Sequence, residues 1–214
     1  MAPTASAGTP SGPVVGFDLD MTLIDSRPGI AAVWDAVAAE TGVHVDSALA
    51  VSRLGPPLAI EAAEWFPSER VPGVVARYRE LYPDLAITGA DRLPGVVEAL
   101  AAVRRAGGRT LVITAKKESF ARLHLEHLGL GVDEVVGDVW AEAKGTALRA
   151  HGASIYVGDH LGDVRGAKAA AAFSVAVTTG PYSAEELSAE GADVVLTDLT
   201  EFPDWFEAHL TASR

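Results

Sequence analysis

The chain of 214 residues contains no cysteine, which excludes disulfides, thiolate catalysis and Cys-ligated zinc. Basic residues are scarce, with 17 Lys and Arg against 29 Asp and Glu and a formal net charge of −12. A binder of the nucleic-acid backbone needs clustered cations that this balance does not offer. The same negative field opposes an anionic substrate, so an enzyme acting on one needs a local cation cluster or a bound metal. Long apolar runs are also missing, and none is able to span a bilayer. Residues 1–13 have neither a basic n-region nor an apolar h-region, so they do not read as a secretory signal. Their Pro, Ser, Thr and Gly content predicts a flexible tail. The expectation is a soluble, cytoplasmic protein.

Hydrophobic residues, at 49% of the chain, are ample for a core. From residue 91 onward, short apolar runs alternate with helical patterns. Strands are expected at 109–114, 132–136, 155–157, 175–177 and 194–196, with helices opening near Val96, Lys117, Glu142, Leu161, Ala184 and Phe202. Such alternation predicts an α/β fold, a Rossmann-like parallel sheet with helices on both faces. Residues 27–90 break the rhythm. They hold helical spacing from Pro28 to Thr41, then pieces interrupted at Gly55-Pro56-Pro57, Pro67 and Pro72, with no convincing strand. This stretch reads as an inserted all-helical cap, which divides the core into 14–26 and 91–214.

Val14-Val15-Gly16-Phe17 reads as a buried strand running into Asp18 and Asp20. Side chains alternate along an extended chain, so these two carboxylates lean to one side and shift each other's protonation. Thr114 ends the second apolar strand, Lys144 opens a helix, and Asp159 and Asp163 follow the fourth strand, at 155–157. In a parallel α/β sheet all these places open onto one edge. Each has a plainer reading: Asp18 and Asp20 in a strand-to-turn junction, Thr114 as a turn former, Lys144 as an exposed lysine with Lys116 or Lys117 supplying the charge. Their convergence on one edge is harder to explain as packing.

Phe17-Asp18-Leu19-Asp20-Met21-Thr22-Leu23 resembles the DxDxT motif of the haloacid dehalogenase-like (HAD) hydrolases. Thr114, Lys144 and Gly158-Asp159 with Asp163 resemble that family's later motifs in the same order, and the likeness spans residues 14–210. Met21 stands where the family usually has Gly. The resemblance implies that Asp18 is a nucleophile forming an aspartyl-phosphate and that Asp20 is a general acid and base. It implies that Thr114 and Lys144 hold the phosphoryl group, and that Mg²⁺ binds at the Asp18 carboxylate, the Asp20 carbonyl and Asp159. Asp163 would orient Lys144 or a metal-bound water.

Lys116 and the cap run Arg53-Leu54-Gly55-Pro56-Pro57 are similar to elements of the phosphoglycolate phosphatase-like branch, with both cations directed at substrate. An Arg on the surface ahead of a helix-initiating Pro is the bland reading of Arg53. Asp25 and Ser26 read as hinge groups, His160 as a shape residue, and His124 and His127 as solvated helix-face residues. The implied function is Mg²⁺-dependent hydrolysis of a small phosphorylated metabolite. A phosphomutase of the same fold is the alternative. A dehalogenase, which would not need Asp20, and a non-catalytic binding protein rank below it. A phosphonatase would want a cap lysine, and residues 27–90 contain none.

Overall fold

The protein is described by a computed structural model over residues 12–212. The tail expectation for residues 1–11 lies outside the described residues. Pro13, however, already joins the sheet, its carbonyl accepting the Arg109 N–H at 2.9 Å. The described strands are β1 (Val14–Phe17), β2 (Ile24–Asp25), β3 (Asp91–Arg92), β4 (Arg109–Ile113), β5 (Glu134–Val136), β6 (Ile155–Gly158), β7 (Phe173–Val177) and β8 (Val194–Leu196). Six of them form one parallel sheet in the order β5-β4-β1-β6-β7-β8. Strand order reverses at β1, so the crevice beyond its C-terminal end is the topological switch point where ligands bind in such sheets.

Between β2 and β3 the chain leaves the sheet and builds the helical layer. Its helices are α1 (Arg27–Thr41), α2 (Ser47–Ser52), α3 (Leu58–Trp65) and α4 (Val71–Leu85). Helix α1 starts with Pro in its first turn, buries the stripe Ile30, Val33, Trp34 and Val37, and stops at left-handed Gly42. That stripe packs with Tyr78 and Tyr82 of α4 in a cluster separate from those of the sheet. Pro72 does not break a helix as the sequence reading has it. It lies in the first turn of α4, where its missing N–H leaves no hydrogen bond unmade. The antiparallel pair β2–β3 matches Ile24 with Arg92 and Asp25 with Asp91, tying the two crossings into one strap.

The sheet is covered on both faces by α5 (Val96–Arg105), α6 (Glu118–His127), α7 (Ala143–His151), α8 (Leu161–Ala170), α9 (Ala184–Glu190) and α10 (Phe202–Ala212). Val15, Phe17, Val112 and Val157 pack in one cluster with α5 and α10, while Leu111, Ile113 and Tyr156 pack in another with α7 and α8. Burial on both faces is why these strands read as continuous apolar runs.

Helix α6 meets the helical layer at buried Phe120 and His124. The Tyr82 ring stacks on Phe120 with centroids 4.5 Å apart, and its hydroxyl lies 2.9 Å from Nε2 of His124. His124 is therefore not the solvated residue expected from sequence; it is fully buried, whereas His127 is exposed. Burial, aided by the Lys116 charge and opposed by Asp20, pushes the His124 pKa down to about 3. His127, also cationic when protonated, pushes in the same direction.

The turn after β1 answers the departure at Met21. Met21 adopts φ 59°, the left-handed region that favours glycine. The turn is held by its N–H, which donates to the Ile24 carbonyl at 2.8 Å, and by its carbonyl, which accepts the Thr179 hydroxyl. Its side chain is only 3% exposed. Left-handed backbone costs about 1–2 kcal/mol, whereas emptying a buried Met site costs about 2–5 kcal/mol, and glycine also loosens the unfolded chain. Packing wins. Met21→Gly is expected to lower unfolding stability in urea by about 1–3 kcal/mol, and an increase would contradict this balance. His124 gives a second expectation. Its folded pKa lies below its unfolded value, so its contribution is intact above about pH 6.5 and is lost as pH falls toward about 3, at roughly 1.4 kcal/mol per pH unit. His124→Gln, which keeps an acceptor for Tyr82, should flatten the urea-stability curve between pH 6 and pH 4; an unaltered acid slope would refute the assignment.

Candidate active site

Asp18 is the residue after β1, and its N–H donates to the Val157 carbonyl of β6 at 2.8 Å. Its side chain thus stands at the switch point. Lys144, from the first turn of α7, reaches the same point across the sheet edge. Its Nζ lies 2.8 Å from Asp18 Oδ1, 2.6 Å from Asp163 Oδ1 and 3.0 Å from the Tyr156 hydroxyl. An ammonium has three N–H donors, and all three are used. Tyr156 in turn donates to the Ile113 carbonyl at 2.8 Å. Lys144 is 1% exposed, so this ammonium is a core residue and not a surface lysine.

Asp18, Asp159 and Asp163 each offer a carboxylate oxygen within 4.8 Å of the others. Asp163 has committed both oxygens, Oδ1 to Lys144 and Oδ2 to the His160 N–H at 3.1 Å. Asp159 Oδ1 accepts the Thr22 hydroxyl at 2.8 Å. Its Oδ2 lies where a Cβ on Gly180 would come within 1.9 Å, so only glycine admits the carboxylate there. Among the described residues, no hydrogen bond reaches Asp18 Oδ2 and no backbone N–H reaches the Asp20 carbonyl. Burial raises the Asp18 pKa to about 7, with Lys144 opposing and the charges of Asp163 and Asp20 adding to it. Burial and the charges of Asp163 and Asp18 push Asp159 well above the usual carboxylate range. Three buried carboxylates thus crowd one space, and the Lys144 ammonium contacts two of them. An oxygen-seeking divalent cation fits that donor set and that charge deficit.

Asp20 has its own lysine. Lys116 Nζ lies 2.6 Å from Asp20 Oδ1, which also accepts the Ser26 hydroxyl, and 2.6 Å from the Tyr82 hydroxyl. Burial draws the Asp20 pKa upward, but the charge and hydrogen bond of Lys116, with Ser26, outweigh it and leave the net value below the ordinary one. Lys116, expected at the phosphate, is thus held by Asp20 and by a tyrosine from the helical layer. Thr114 is buried, and its Oγ1 accepts the Lys116 N–H at 3.1 Å. That is the turn-forming role, and it leaves the Thr114 O–H proton available as a donor.

Among the described residues, Arg53 makes no hydrogen bond or ion pair with Asp18, Asp20, Asp159 or Asp163; it lines a cavity that Asp20 and Lys116 also border. Its guanidinium is 2.6 Å from Glu61 and stacks over Trp65 at 5.6 Å. Beside it, Gly55 approaches so closely that a Cβ there would lie 2.6 Å from His160 Cδ2. His160 is a shape residue. It caps α8 by accepting the Gly162 N–H at 2.9 Å and sits between Trp140 and Tyr182. Asp25 pairs with Arg27 at 2.7 Å, away from the carboxylates. Tyr156, Tyr82 and Ser26 contact the charged groups without having been singled out as site residues. Tyr156 was foreseeable from strand alternation, which sets it opposite Ile155 and Val157. For Tyr82 the only signal was its i,i+4 spacing from Tyr78, which also describes packing.

The sequence matches the profile described as haloacid dehalogenase-like hydrolase over residues 15–168, and a second, HAD-hydrolase-like profile over 135–202. A phosphoglycolate phosphatase from Rhodospirillum rubrum is 32% identical, covering 88% of each chain. One from Caulobacter vibrioides is 28% identical, covering 90% of each. The solved structure of a haloacid dehalogenase-like family hydrolase from Streptococcus pneumoniae superposes with a TM-score of 0.81 at 25% identity, covering 92% of this chain and 99% of that one. The first profile spans most of the chain, from β1 through α8, and so takes in both lysine-paired aspartates. The chain belongs to the haloacid dehalogenase-like hydrolase family.

Proposed function

We propose that the protein is a Mg²⁺-dependent phosphatase that hydrolyses a small phosphorylated metabolite through an aspartyl-phosphate. The observation that carries this reading is the Asp18 carboxylate buried 2.8 Å from the Lys144 ammonium and beside Asp159. The names of the relatives from Rhodospirillum rubrum and Caulobacter vibrioides support the phosphatase class.

The chief obstacle to the reaction is charge. A carboxylate nearing a phosphate dianion is opposed by about 4 kcal/mol per charge pair at 4 Å and intermediate dielectric. Lys144 offsets part of that repulsion from a fixed position, with no reorganisation during the reaction. Asp18, Asp159 and the Asp20 carbonyl would hold Mg²⁺, with Asp163 keeping Lys144 in place; when bound, the ion supplies the remaining positive charge and favours ionised Asp18. An oxygen of Asp18 forms a bond to phosphorus as the ester P–O bond breaks. The leaving alkoxide takes its proton from Asp20. Asp20 then takes a proton from water, whose oxygen attacks phosphorus, and the Asp18–phosphorus bond breaks to release phosphate. Thr114 donates its free O–H to a phosphoryl oxygen.

Asp20 must be protonated for the first step, yet Lys116 lowers its pKa. A phosphate bordering Lys116 competes for that ammonium and so lets the Asp20 pKa rise. Lys116 in this reading serves substrate and Asp20 in turn. Arg53 would contribute its uncommitted Nε to the far end of the substrate.

The test is hydrolysis of p-nitrophenyl phosphate. Turnover should vanish with EDTA, return with Mg²⁺, and fall roughly three orders of magnitude or more in Asp18→Asn. Metal-independent turnover, or an Asp18→Asn enzyme within about tenfold of the parent, would defeat the reading.

A further inference from the structure

Between the helical layer and the sheet edge lies a cavity of about 210 Å³, bordered by Asp20 and Lys116 where the chemistry is proposed. Much of the rest of its wall is apolar and aromatic, with Trp34, Leu54, Leu58, Tyr78, Phe120 and Trp140. Three cations of this wall, Arg53, Arg79 and Lys116, already face carboxylates. Arg53 is held by Glu61 at 2.6 Å, and the same Glu61 oxygen accepts the Trp65 Nε1–H at 2.8 Å. Arg79 faces Asp138 at 3.8 Å, and Lys116 is held by Asp20 at 2.6 Å. Lys117 is exposed at the rim, its ammonium 5.4 Å from the Phe120 ring centroid.

This wall receives whatever alcohol the phosphate is attached to. A carboxylate on that alcohol would be desolvated against aromatic rings, and Arg53, whose charge Glu61 already neutralises, would offer it one Nε–H but no net positive charge. An uncharged ring meets no such obstacle and is favoured by burial and by ring–ring contact. The volume agrees. An apolar cavity of about 150 Å³ holds benzene, so about 210 Å³ accommodates one ring with its hydroxymethyl group. Arg53 Nε is buried and has no acceptor among the described residues, so it offers one donor to a neutral oxygen on such a ring.

We infer that the substrate is the phosphate monoester of a small, uncharged alcohol built on a single ring, and not of a hydroxy acid such as glycolate. The inference rests on the phosphatase reading above and deepens it.

The test compares kcat/KM for benzyl phosphate and 2-phosphoglycolate with Mg²⁺ present. Both esters release an aliphatic alkoxide, so their ratio reports the cavity more than the leaving group. The parent enzyme should prefer benzyl phosphate at least tenfold. Glu61→Gln, which frees the Arg53 charge, should move that ratio at least tenfold toward phosphoglycolate. Leu58→Lys, which adds a cation without touching the Glu61 pair, should move it the same way and keeps the test decisive if Glu61→Gln does not fold. A parent preference below tenfold, or a ratio unmoved in the folded variants, overturns the inference and leaves the phosphatase reading intact. Hydrolysis of neither ester, nor of p-nitrophenyl phosphate, overturns both.

Discussion

The Lys144 ammonium, 1% exposed and held by Asp18 and Asp163, is the interaction on which the site depends. Taking one charge out of water costs several kcal/mol, and Coulomb attraction returns that only where geometry and hydrogen bonding are complete. Here the three N–H donors meet Asp18, Asp163 and the Tyr156 hydroxyl, and Tyr156 donates its own O–H to the Ile113 carbonyl of β4. The ammonium is therefore rigid. A rigid charge beside a carboxylate is what a negatively charged nucleophile needs to face a negatively charged ester.

The sheet topology makes this arrangement possible. Because β1 is flanked by β4 and β6, the residue after it stands at the reversal of strand order, and the chains leaving β4, β5 and β6 bring Thr114, Lys144 and Asp159 toward it. The helical insertion leaves from the same edge. Tyr82 from α4 reaches Lys116, and Lys116 reaches Asp20. Each of the two aspartates thus has its own lysine, and the environments drive their pKa values in opposite directions. Asp18 rises because burial desolvates it, with the charges of Asp163 and Asp20 adding to that, while Asp20 falls because one ammonium and one hydroxyl outweigh its burial.

Much of this was readable in the sequence. Alternating apolar runs and helical spacings led to the parallel α/β sheet, and the strand-end positions of Asp18, Lys144, Asp159 and Asp163 anticipated that they lie together. Other features were not, for identifiable reasons. β2 and β3 are two residues each, too short for any periodicity. Pro72 looks like a breaker unless the start of α4 is known. His124 lies on an amphipathic helix, and only the docking of Tyr82 and Phe120 decides that its face is buried. Lys116 and Arg53 both looked free for substrate, because their partners Asp20, Tyr82 and Glu61 are set by tertiary packing.

The account stands or falls on whether the crowded carboxylates accept a cation. Isothermal titration of Mg²⁺ into the metal-free protein and into Asp159→Asn examines this without reference to turnover. The account predicts one site per chain in the parent, and a loss of at least about tenfold in affinity when Asp159 loses its charge. No binding by the parent, or equal binding by the variant, would contradict it.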